Sequence, residues 1–330
     1  MRIMIVGGTG FLGYYTTLAA LEAGHETGSL AIDDVSLDDW FPPSVERRTG
    51  NVFEMDEDAL TGALAGYDAM VYSIGPDDRV TPKAPAYDFF HERLVTHCAR
   101  VFRAARRAGV RRAVVYNSYF ATLDRLYPKK RLAQTHPYIR CRVEQAERLI
   151  AESGDMDVMV LELPYIFGAM PMRTPIWRDV FIERFFRYPV VCFPKGGTTM
   201  VHARSVGQAG VAALECGARG ERYPVGDENH NYRVMLEWML EGLSVNKPIV
   251  QLPASVCALG ADAIARKDAR AGKESGLNMR ALMRDIMNEE LYIPQSTIEE
   301  VAGRFGYARG LVREGVLEAM HACYPEGFRA

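Results

Sequence analysis

Short apolar runs alternate with longer segments of mixed polarity through the first half of the chain. The apolar runs predict buried strands at residues 2–6, 27–32, 48–52, 69–74, 113–116 and 158–163. Between them, apolar residues recur at helical spacing, which predicts helices at 11–23, 58–65, 87–108 and 138–153. Strands that alternate with helices indicate an α/β fold with a parallel, doubly wound sheet. Such sheets bind ligands at the carboxyl ends of their strands.

The pattern changes near residue 168, where prolines and aromatic residues become frequent. We expect residues 1–168 to form the domain built on the sheet. Residues 169–330 should form mainly a smaller, substrate-binding lobe, with residues 201–215 returning to the sheet. The segment from 254 to 330 is predicted to be mostly helical, with a mobile loop at 266–274.

Composition and charge indicate a globular protein and argue against several kinds of partner. The chain has 330 residues, 48% of them hydrophobic and 25% charged, as in ordinary globular proteins. A net charge of −3 gives no general attraction to nucleic acid or to a membrane surface, so we expect neither partner. The six cysteines are scattered without metal-ligand spacing, which predicts reduced thiols in a cytoplasmic protein and no metal site. Neither a signal peptide nor a membrane-spanning segment is expected.

A glycine-rich loop, Gly7-Gly8-Thr9-Gly10-Phe11-Leu12-Gly13, joins the first predicted strand to the first predicted helix. Glycine permits the sharp turn, the approach of the backbone to a ligand and close packing of helix on strand. The free N–H groups at the helix start favour an anion. The loop therefore predicts a site for a dinucleotide pyrophosphate, with Gly7, Thr9, Gly10, Phe11, Leu12 and Gly13 as binding residues. A tight turn without a ligand is the alternative.

The end of the second predicted strand usually contacts the adenosine ribose of such a cofactor. Asp33 and Asp34 follow this strand, and no arginine is adjacent. A carboxylate accepts hydrogen bonds from the ribose hydroxyls and repels a 2′-phosphate, so the sequence favours NAD, with NADP not excluded. Two exposed loop acids would give the same pattern.

Several later segments, together with the glycine loop, resemble the extended short-chain dehydrogenase/reductase family, which includes epimerases, dehydratases and ketone reductases. The likeness spans nearly the whole chain. The matching segments are Val71-Tyr72-Ser73-Ile74-Gly75, Ala113-Val114-Val115-Tyr116-Asn117-Ser118, Tyr138-Ile139-Arg140-Cys141-Arg142, Leu163-Pro164-Tyr165-Ile166-Phe167-Gly168, and Phe305-Gly306-Tyr307 with Glu314-Gly315-Val316-Leu317. The resemblance implies a Rossmann fold with a smaller C-terminal substrate lobe.

The resemblance also implies a catalytic set of Ser118, Tyr138 and Arg142. Tyr138 would be the general acid/base, Ser118 would bind the same substrate oxygen, and Arg142 would lower the pKa of the phenol from one helical turn away. Taken singly, each of the three could have only a structural role. Further contacts to the cofactor are expected from Asn51, Val52, Ser73, Ile74, Gly75, Tyr138, Arg142, Pro164 and Ile166.

Arg142 is the main departure from the family, which has lysine at that place. Arginine keeps the positive charge but does not release its proton, so a relay through lysine would be lost. Leu163 stands at the place of an arginine, and Leu94 at that of a structural asparagine. The sequence is that of a divergent member of the family, with Y-x-x-x-R replacing Y-x-x-x-K.

Three functions remain open. The first is an NAD(P)-dependent oxidoreductase acting on a carbonyl/alcohol pair of a small molecule. The second is a nucleotide-sugar epimerase or dehydratase that keeps its NAD bound, and the third is a catalytically silent NAD(P)-sensing regulator. Trp177, Phe181, Phe185 and Phe186 could line a site for an apolar or ring-shaped substrate or could pack a core, whereas Arg173, Arg178 and Arg184 could hold a diphosphate. The helices at 87–108 and 138–153 would allow a homodimer.

Overall fold

A seven-stranded, entirely parallel sheet forms the centre of the protein, with the strand order β10-β6-β5-β4-β1-β2-β3. The computed structural model describes residues 1–32, 36–37 and 39–328. Its strands are β1 Arg2–Val6, β2 Glu26–Ala31, β3 Glu46–Thr49, β4 Ala69–Tyr72, β5 Arg112–Ser118, β6 Asp157–Leu163, β7 Tyr165–Phe167, β8 Val191–Pro194, β9 Gly197–His202, β10 Arg222–Pro224, β11 Glu228–Asn231 and β12 Ile249–Leu252.

Helices cover both faces of this sheet and form much of the second half of the chain. They are α1 Phe11–Glu22, α2 Glu57–Leu64, α3 Ala86–Phe90, α4 His97–Arg107, α5 Phe120–Leu126, α6 Leu132–Thr135, α7 Pro137–Ala151, α8 Ala203–Cys216, α9 Tyr232–Gly242, α10 Ala254–Arg270, α11 Met279–Leu282, α12 Gln295–Phe305 and α13 Val312–Cys323. A 3₁₀ turn spans Pro128–Lys130, and π-helical stretches span His91–Thr96, Arg178–Phe186 and Met283–Met287.

The alternating residues of each strand point to opposite faces, so one strand supplies two cores. Ile3 and Ile5 of β1 pack in the core under α1 and α8. Met4 and Val6 pack in the core under α2, α4 and α7. Because both faces of the sheet are buried, consecutive residues of its central strands are apolar.

The remaining strands form two small sheets beside the main one. β9 pairs antiparallel with β11 and parallel with β7, and β8 pairs parallel with β12. A third core around Phe186, Tyr232 and Val316 lies under this part of the chain. From β9 the chain continues into α8, which packs against α1 so closely that a Cβ on Gly207 would lie 2.4 Å from the carbonyl oxygen of Tyr15.

The observed elements confirm the α/β fold with a doubly wound parallel sheet, and most predicted elements differ from them only at their ends. The third strand is displaced to Glu46–Thr49 from the predicted 48–52 because it lies at the edge of the sheet and is made of polar residues. The apolar signal came from Val52, which is buried in the turn after that strand. The prediction of a loop at 266–274 was wrong for its first part, because α10 continues to Arg270.

Candidate functional site

A cavity of about 410 Å³ opens at the carboxyl ends of the central strands. It brings together residues from the glycine loop, from the segment after β4, from the end of β5, from α7 and from the segment after β6. The predicted site residues that line it are Phe11, Leu12, Ser73, Ile74, Gly75, Ser118, Tyr138, Arg142, Pro164 and Ile166.

The glycine loop has no room for side chains at Gly7, Gly8 and Gly13. Gly7 has a φ of +91°, and a Cβ there would lie 2.2 Å from Cγ2 of Ile74. A Cβ on Gly13 would lie 2.0 Å from the carbonyl oxygen of Gly7. Strand, turn and helix are therefore in contact through bare backbone, as a dinucleotide cradle requires.

The start of α1 is open to an anion. Gly10 is the N-cap residue, and no side chain caps the first turn. Thr9 is buried just before it, and the backbone N–H of Gly10 donates to the carbonyl oxygen of Gly7 at 2.9 Å. The N–H groups of Phe11, Leu12 and Gly13 therefore form a first turn that fits a pyrophosphate group.

The segment after β4 passes over the end of β1. Both the backbone N–H and the hydroxyl of Ser73 donate to the carbonyl oxygen of Val6, at 3.0 and 2.8 Å. Gly75 follows with a φ of +137°, where a side chain would be strained. These bonds fix Ile74 and Gly75 along the wall of the cavity.

Two residues that were expected to contact the cofactor, Asn51 and Val52, lie outside this cavity. The Oδ1 atom of Asn51 accepts from the backbone N–H of Phe53 at 3.1 Å, so the amide stabilises the turn after β3. Val52 is buried beside it, and Arg100 donates to its carbonyl oxygen at 2.7 Å. Asp33 and Asp34, which favoured NAD in the sequence, lie outside the described residues.

Tyr138 and Arg142 lie one turn apart on α7, and both face the cavity. The Nε atom of Arg142 donates to Tyr138 Oη at 2.9 Å. Tyr138 is 3% exposed, and its ring packs edge-on against Phe90 with 5.2 Å between centroids. The phenol ring therefore packs in a core while its hydroxyl reaches the cavity.

The rest of the Arg142 guanidinium is also engaged. Nη1 donates to Oε1 of Gln145 at 3.0 Å and to the carbonyl oxygen of Tyr116 at 3.3 Å, and Nη2 donates to the carbonyl oxygen of Pro76 at 3.5 Å. The amide of Asn117 donates to the Arg142 carbonyl oxygen at 3.0 Å. This buried network fixes the cation at one position beside the phenol.

Ser118 ends β5 on the same side of the cavity. Its Oγ accepts a long bond of 3.3 Å from the backbone N–H of Phe120, and its own N–H donates to Oδ1 of Asn117 at 2.6 Å. The hydroxyl hydrogen is therefore free to turn toward a ligand in the cavity.

Burial decides the protonation state of Tyr138. Loss of hydration raises the pKa of the phenol above its usual value, and the Asp78 and Asp77 carboxylates raise the pKa further. Arg142 lowers the same pKa, as the sequence predicted, but by less than burial raises it. The Tyr138 phenol therefore stays protonated across the neutral pH range.

The structure adds a polar group that the sequence interpretation missed. Asp77, Asp78 and Arg79, between β4 and α3, line the cavity. Arg79 pairs with Asp77 at 3.0 Å and stacks on the ring of Trp177, with 4.9 Å from Cζ to the ring centroid. The available signal was their position just after a strand end, where the ligand edge of the sheet lies.

Only some of the aromatic and basic residues that were candidates for substrate binding line the cavity. Trp177 lines the cavity, whereas Phe181 and Phe186 are buried in the third core. Arg173 lines the cavity and donates from Nε to the carbonyl oxygen of Thr9 at 3.1 Å. Arg178, over the ring of Tyr324, and the exposed Arg184 do not line it.

A comparison with protein families matches residues 7–166 to a family of NAD(P)H-binding domains. The matched segment contains the glycine loop, Ser73, Ser118, Tyr138 and Arg142. The glycine loop, in which a Cβ at Gly7 or Gly13 would collide with neighbouring atoms, fits that cofactor. The chain thus has an NAD(P)-binding domain, as its sequence predicted.

The chain is also similar to proteins of known name. Sterol demethylase protein B of Methylococcus capsulatus is 25% identical over 269 residues, which cover 77% of this chain and 78% of that protein. A nucleoside-diphosphate-sugar epimerase of Pseudomonas aeruginosa superposes with a TM-score of 0.71 at 16% identity, covering 99% of this chain and 98% of that one. The enzyme WbmH of Bordetella bronchiseptica, in complex with NAD⁺, gives 0.69 at 14% identity, with 98% of each chain covered. These two structures share the fold of this chain.

Within residues 1–32, 36–37 and 39–328, no helix is both long and apolar enough to cross a membrane. The same residues contain no group of three or more His, Cys, Asp or Glu side chains placed to hold a metal ion.

Proposed function

We propose that the protein is an NAD(P)-dependent oxidoreductase of the extended short-chain dehydrogenase/reductase type, acting on a carbonyl/alcohol pair of a small molecule. One observation supports this above the others. The Tyr138 hydroxyl, held at 2.9 Å by Arg142, lines the same cavity as Ser118 and the first turn of the cofactor helix. A phenol, a hydroxyl and a fixed cation around one cavity are suited to proton transfer at a carbonyl oxygen.

The residues would divide the work as follows. The bound cofactor supplies or accepts hydride. Ser118 donates a hydrogen bond to the substrate oxygen, and Tyr138 gives that oxygen a proton in the reductive direction. Arg142 stabilises the tyrosinate that remains, because its Nε–H already points at the phenolic oxygen.

The raised pKa of Tyr138 favours carbonyl reduction near neutral pH, because the phenol is then protonated and can donate its proton. Alcohol oxidation needs the tyrosinate, so its rate should increase as the pH rises. The low conformational freedom of Arg142 and Tyr138 means that little reorganisation precedes either step.

We propose an apolar or ring-shaped substrate. The residues that line the cavity together with Tyr138 include Trp177, Met170 and Tyr165, whose large side chains suit an apolar ligand. The relative named for sterol demethylation agrees with a substrate of this class. Residues 169–330 would then supply the substrate-binding lobe.

A nucleotide-sugar epimerase or dehydratase is the second candidate, since the structural neighbour from Pseudomonas aeruginosa has that description. Arg173 lies where it could meet a phosphate, but Arg178 and Arg184 do not join it in the cavity. The geometry therefore favours the oxidoreductase. A sensing regulator is the weaker alternative, because Ser118 and Tyr138 face the cavity together.

Turnover on two substrate panels, one of carbonyl compounds and one of nucleotide sugars, tests the proposal. We expect stoichiometric oxidation of NAD(P)H by a carbonyl, with NADH preferred because of Asp33 and Asp34. The Tyr138→Phe variant should lose about 100-fold or more in kcat while its affinity for the cofactor is kept. Unchanged turnover in this variant would refute the role of Tyr138, and tightly co-purifying NAD with epimerisation of a nucleotide sugar would favour the second candidate.

A further inference from the structure

In the proposed reaction Tyr138 must regain a proton in every cycle, and the arginine beside it cannot supply one. A guanidinium stays protonated at any working pH. The three nitrogens of Arg142 are also committed to Tyr138 and to buried acceptors. Another group must therefore connect the buried phenol with solvent.

Resting on the proposed function, we propose that Asp78 is this group and that it passes protons between solvent and the Tyr138 hydroxyl. Asp78 and Tyr138 line the same cavity. They differ in access to water, because Tyr138 is buried whereas Asp78 is partly exposed. In this proposal the half-buried Asp78 carboxyl is the end of the proton path that meets solvent, and the buried Tyr138 phenol is the end that meets the substrate.

The neighbouring acid does not have the same freedom. Asp77 is paired with Arg79 at 3.0 Å, and it also accepts from the backbone N–H of Arg79 at 2.8 Å. Arg79 in turn stacks on Trp177. Among the residues that the structure describes, no side chain donates a hydrogen bond to the Asp78 carboxylate, which accepts from its own backbone N–H. This carboxylate is therefore available to exchange a proton.

The electrostatic surroundings make Asp78 a better proton carrier than an exposed aspartate. Burial raises the pKa of the Asp78 carboxyl, Asp77 adds to the increase, and Arg79 and Arg142 oppose it. The Asp78 carboxylate in turn raises the pKa of Tyr138, so the phenol responds to the charge of Asp78. The other charged or titratable groups that act on the pair are Asp77, Arg79, Tyr119, Arg142 and Tyr165.

The protons and electrons balance in the reductive direction. Hydride from the reduced nicotinamide forms the new C–H bond, and the π-electron pair of the carbonyl takes the proton of Tyr138 Oη. A lone pair of the tyrosinate then takes the proton of the Asp78 carboxyl, directly or across one water molecule. This transfer is downhill because a carboxylic acid is a stronger acid than a phenol. The Asp78 carboxylate is finally reprotonated by solvent.

Asp78→Asn tests the proposal in the full-length protein, with Asp77→Asn as the matched control. We expect Asp78→Asn to lower kcat by about 100-fold with KM for substrate and cofactor little changed. In this variant the profile of kcat against pH should lose the limb that comes from the titration of the Asp78 carboxyl. Added formate should restore part of the rate. Asp77→Asn should keep that limb. A wild-type pH profile in Asp78→Asn would overturn the proposal.

A second measurement needs no substrate. The near-ultraviolet absorbance of tyrosinate, compared with that of the matching Tyr138→Phe protein, reports the titration of Tyr138 alone. Asp78→Asn should lower the pKa of Tyr138, and by more than Asp77→Asn does. Absence of this shift would overturn the proposal. A wild-type protein that reduces no carbonyl would instead refute the proposed function, while the titration would still decide whether Asp78 and Tyr138 are coupled.

Discussion

Arg142 donates from Nε to Tyr138 Oη at 2.9 Å, and both side chains are buried on the same face of α7. The guanidinium is a fork held in place by Gln145 and Tyr116, whereas the ammonium of a lysine would be mobile. The cation therefore acts as a permanent partner of the phenol, and any proton exchange has to use another route.

Arg142→Lys should separate charge from geometry. We expect cofactor affinity to survive, within about tenfold, because the positive charge is kept. The free energy of unfolding should fall by about 1–3 kcal/mol, because one ammonium cannot reach all the acceptors that the fork serves. Denaturant unfolding and cofactor titration measure the two quantities. The matched control is Arg140→Lys on the exposed side of α7, which should change stability by less than about 0.5 kcal/mol. Complete loss of cofactor binding in Arg142→Lys would contradict this expectation.

Ser118→Ala should impair turnover more than stability. The Oγ atom accepts only one long bond, from the Phe120 N–H at 3.3 Å, so its removal leaves the fold nearly intact. We expect kcat/KM to fall by about 10- to 100-fold through loss of a hydrogen bond to the substrate oxygen. Ser205→Ala, which removes a 2.7 Å bond to the carbonyl oxygen of Ala308 away from the cavity, should lower stability and spare turnover. Equal turnover in the two variants would count against a role for Ser118.

Gly13→Ala tests the cofactor cradle. The added Cβ would lie 2.0 Å from the carbonyl oxygen of Gly7, so α1 or the loop must move away. We expect cofactor binding to fall below detection, with a loss of stability of about 1–3 kcal/mol from overpacking. Gly62→Ala is the control, since a Cβ within α2 meets no atom within 4 Å. It should stabilise the protein by about 0.5–1 kcal/mol and leave binding unchanged. Retained affinity in Gly13→Ala would show that the cofactor lies elsewhere.

Much of the fold was predictable because central parallel strands are buried on both faces. β1, β4 and β6 are almost wholly apolar, and each was predicted to within two residues. β3 was displaced in the prediction because an edge strand of Glu46, Arg47, Arg48 and Thr49 has no apolar signal. The i,i+4 spacing of Tyr138 and Arg142 likewise predicted their contact, which any α-helix would provide.

The other residues of the site could not be predicted, because tertiary packing places them and the periodicity of apolar residues does not reveal that packing. Trp177 and Phe181 have the same helical spacing, yet only Trp177 lines the cavity. Asp78 lies in an irregular loop whose path is fixed by contacts far along the chain, including the bond from the Ala84 N–H to the Gly272 carbonyl oxygen at 3.0 Å. The net effect of burial on the pKa of Tyr138 also required the surrounding structure, since the sequence showed only the nearby cation.

A buried histidine should make the entrance to α7 sensitive to acid. Burial lowers the pKa of His136 to about 4, from 6.5 in the unfolded chain. Its Nδ1 accepts from the backbone N–H of Asn278 at 3.0 Å, which requires a neutral ring with its proton on Nε2. Two residues later, the Tyr138 N–H donates to the Gly276 carbonyl oxygen at 2.8 Å, so this contact also positions the phenol.

Because the unfolded chain binds this proton more tightly, the stabilisation is complete above pH 6.5 and is lost as the pH falls from 6.5 toward 4. The loss attributable to His136 should approach an upper limit of about 3 kcal/mol. Denaturant unfolding at a series of pH values measures it. His136→Gln and His136→Phe do not titrate, so both should flatten this part of the stability profile although their stabilities at neutral pH differ. If both variants keep the wild-type slope, the acid sensitivity belongs to other groups, and His136 does not control the start of α7.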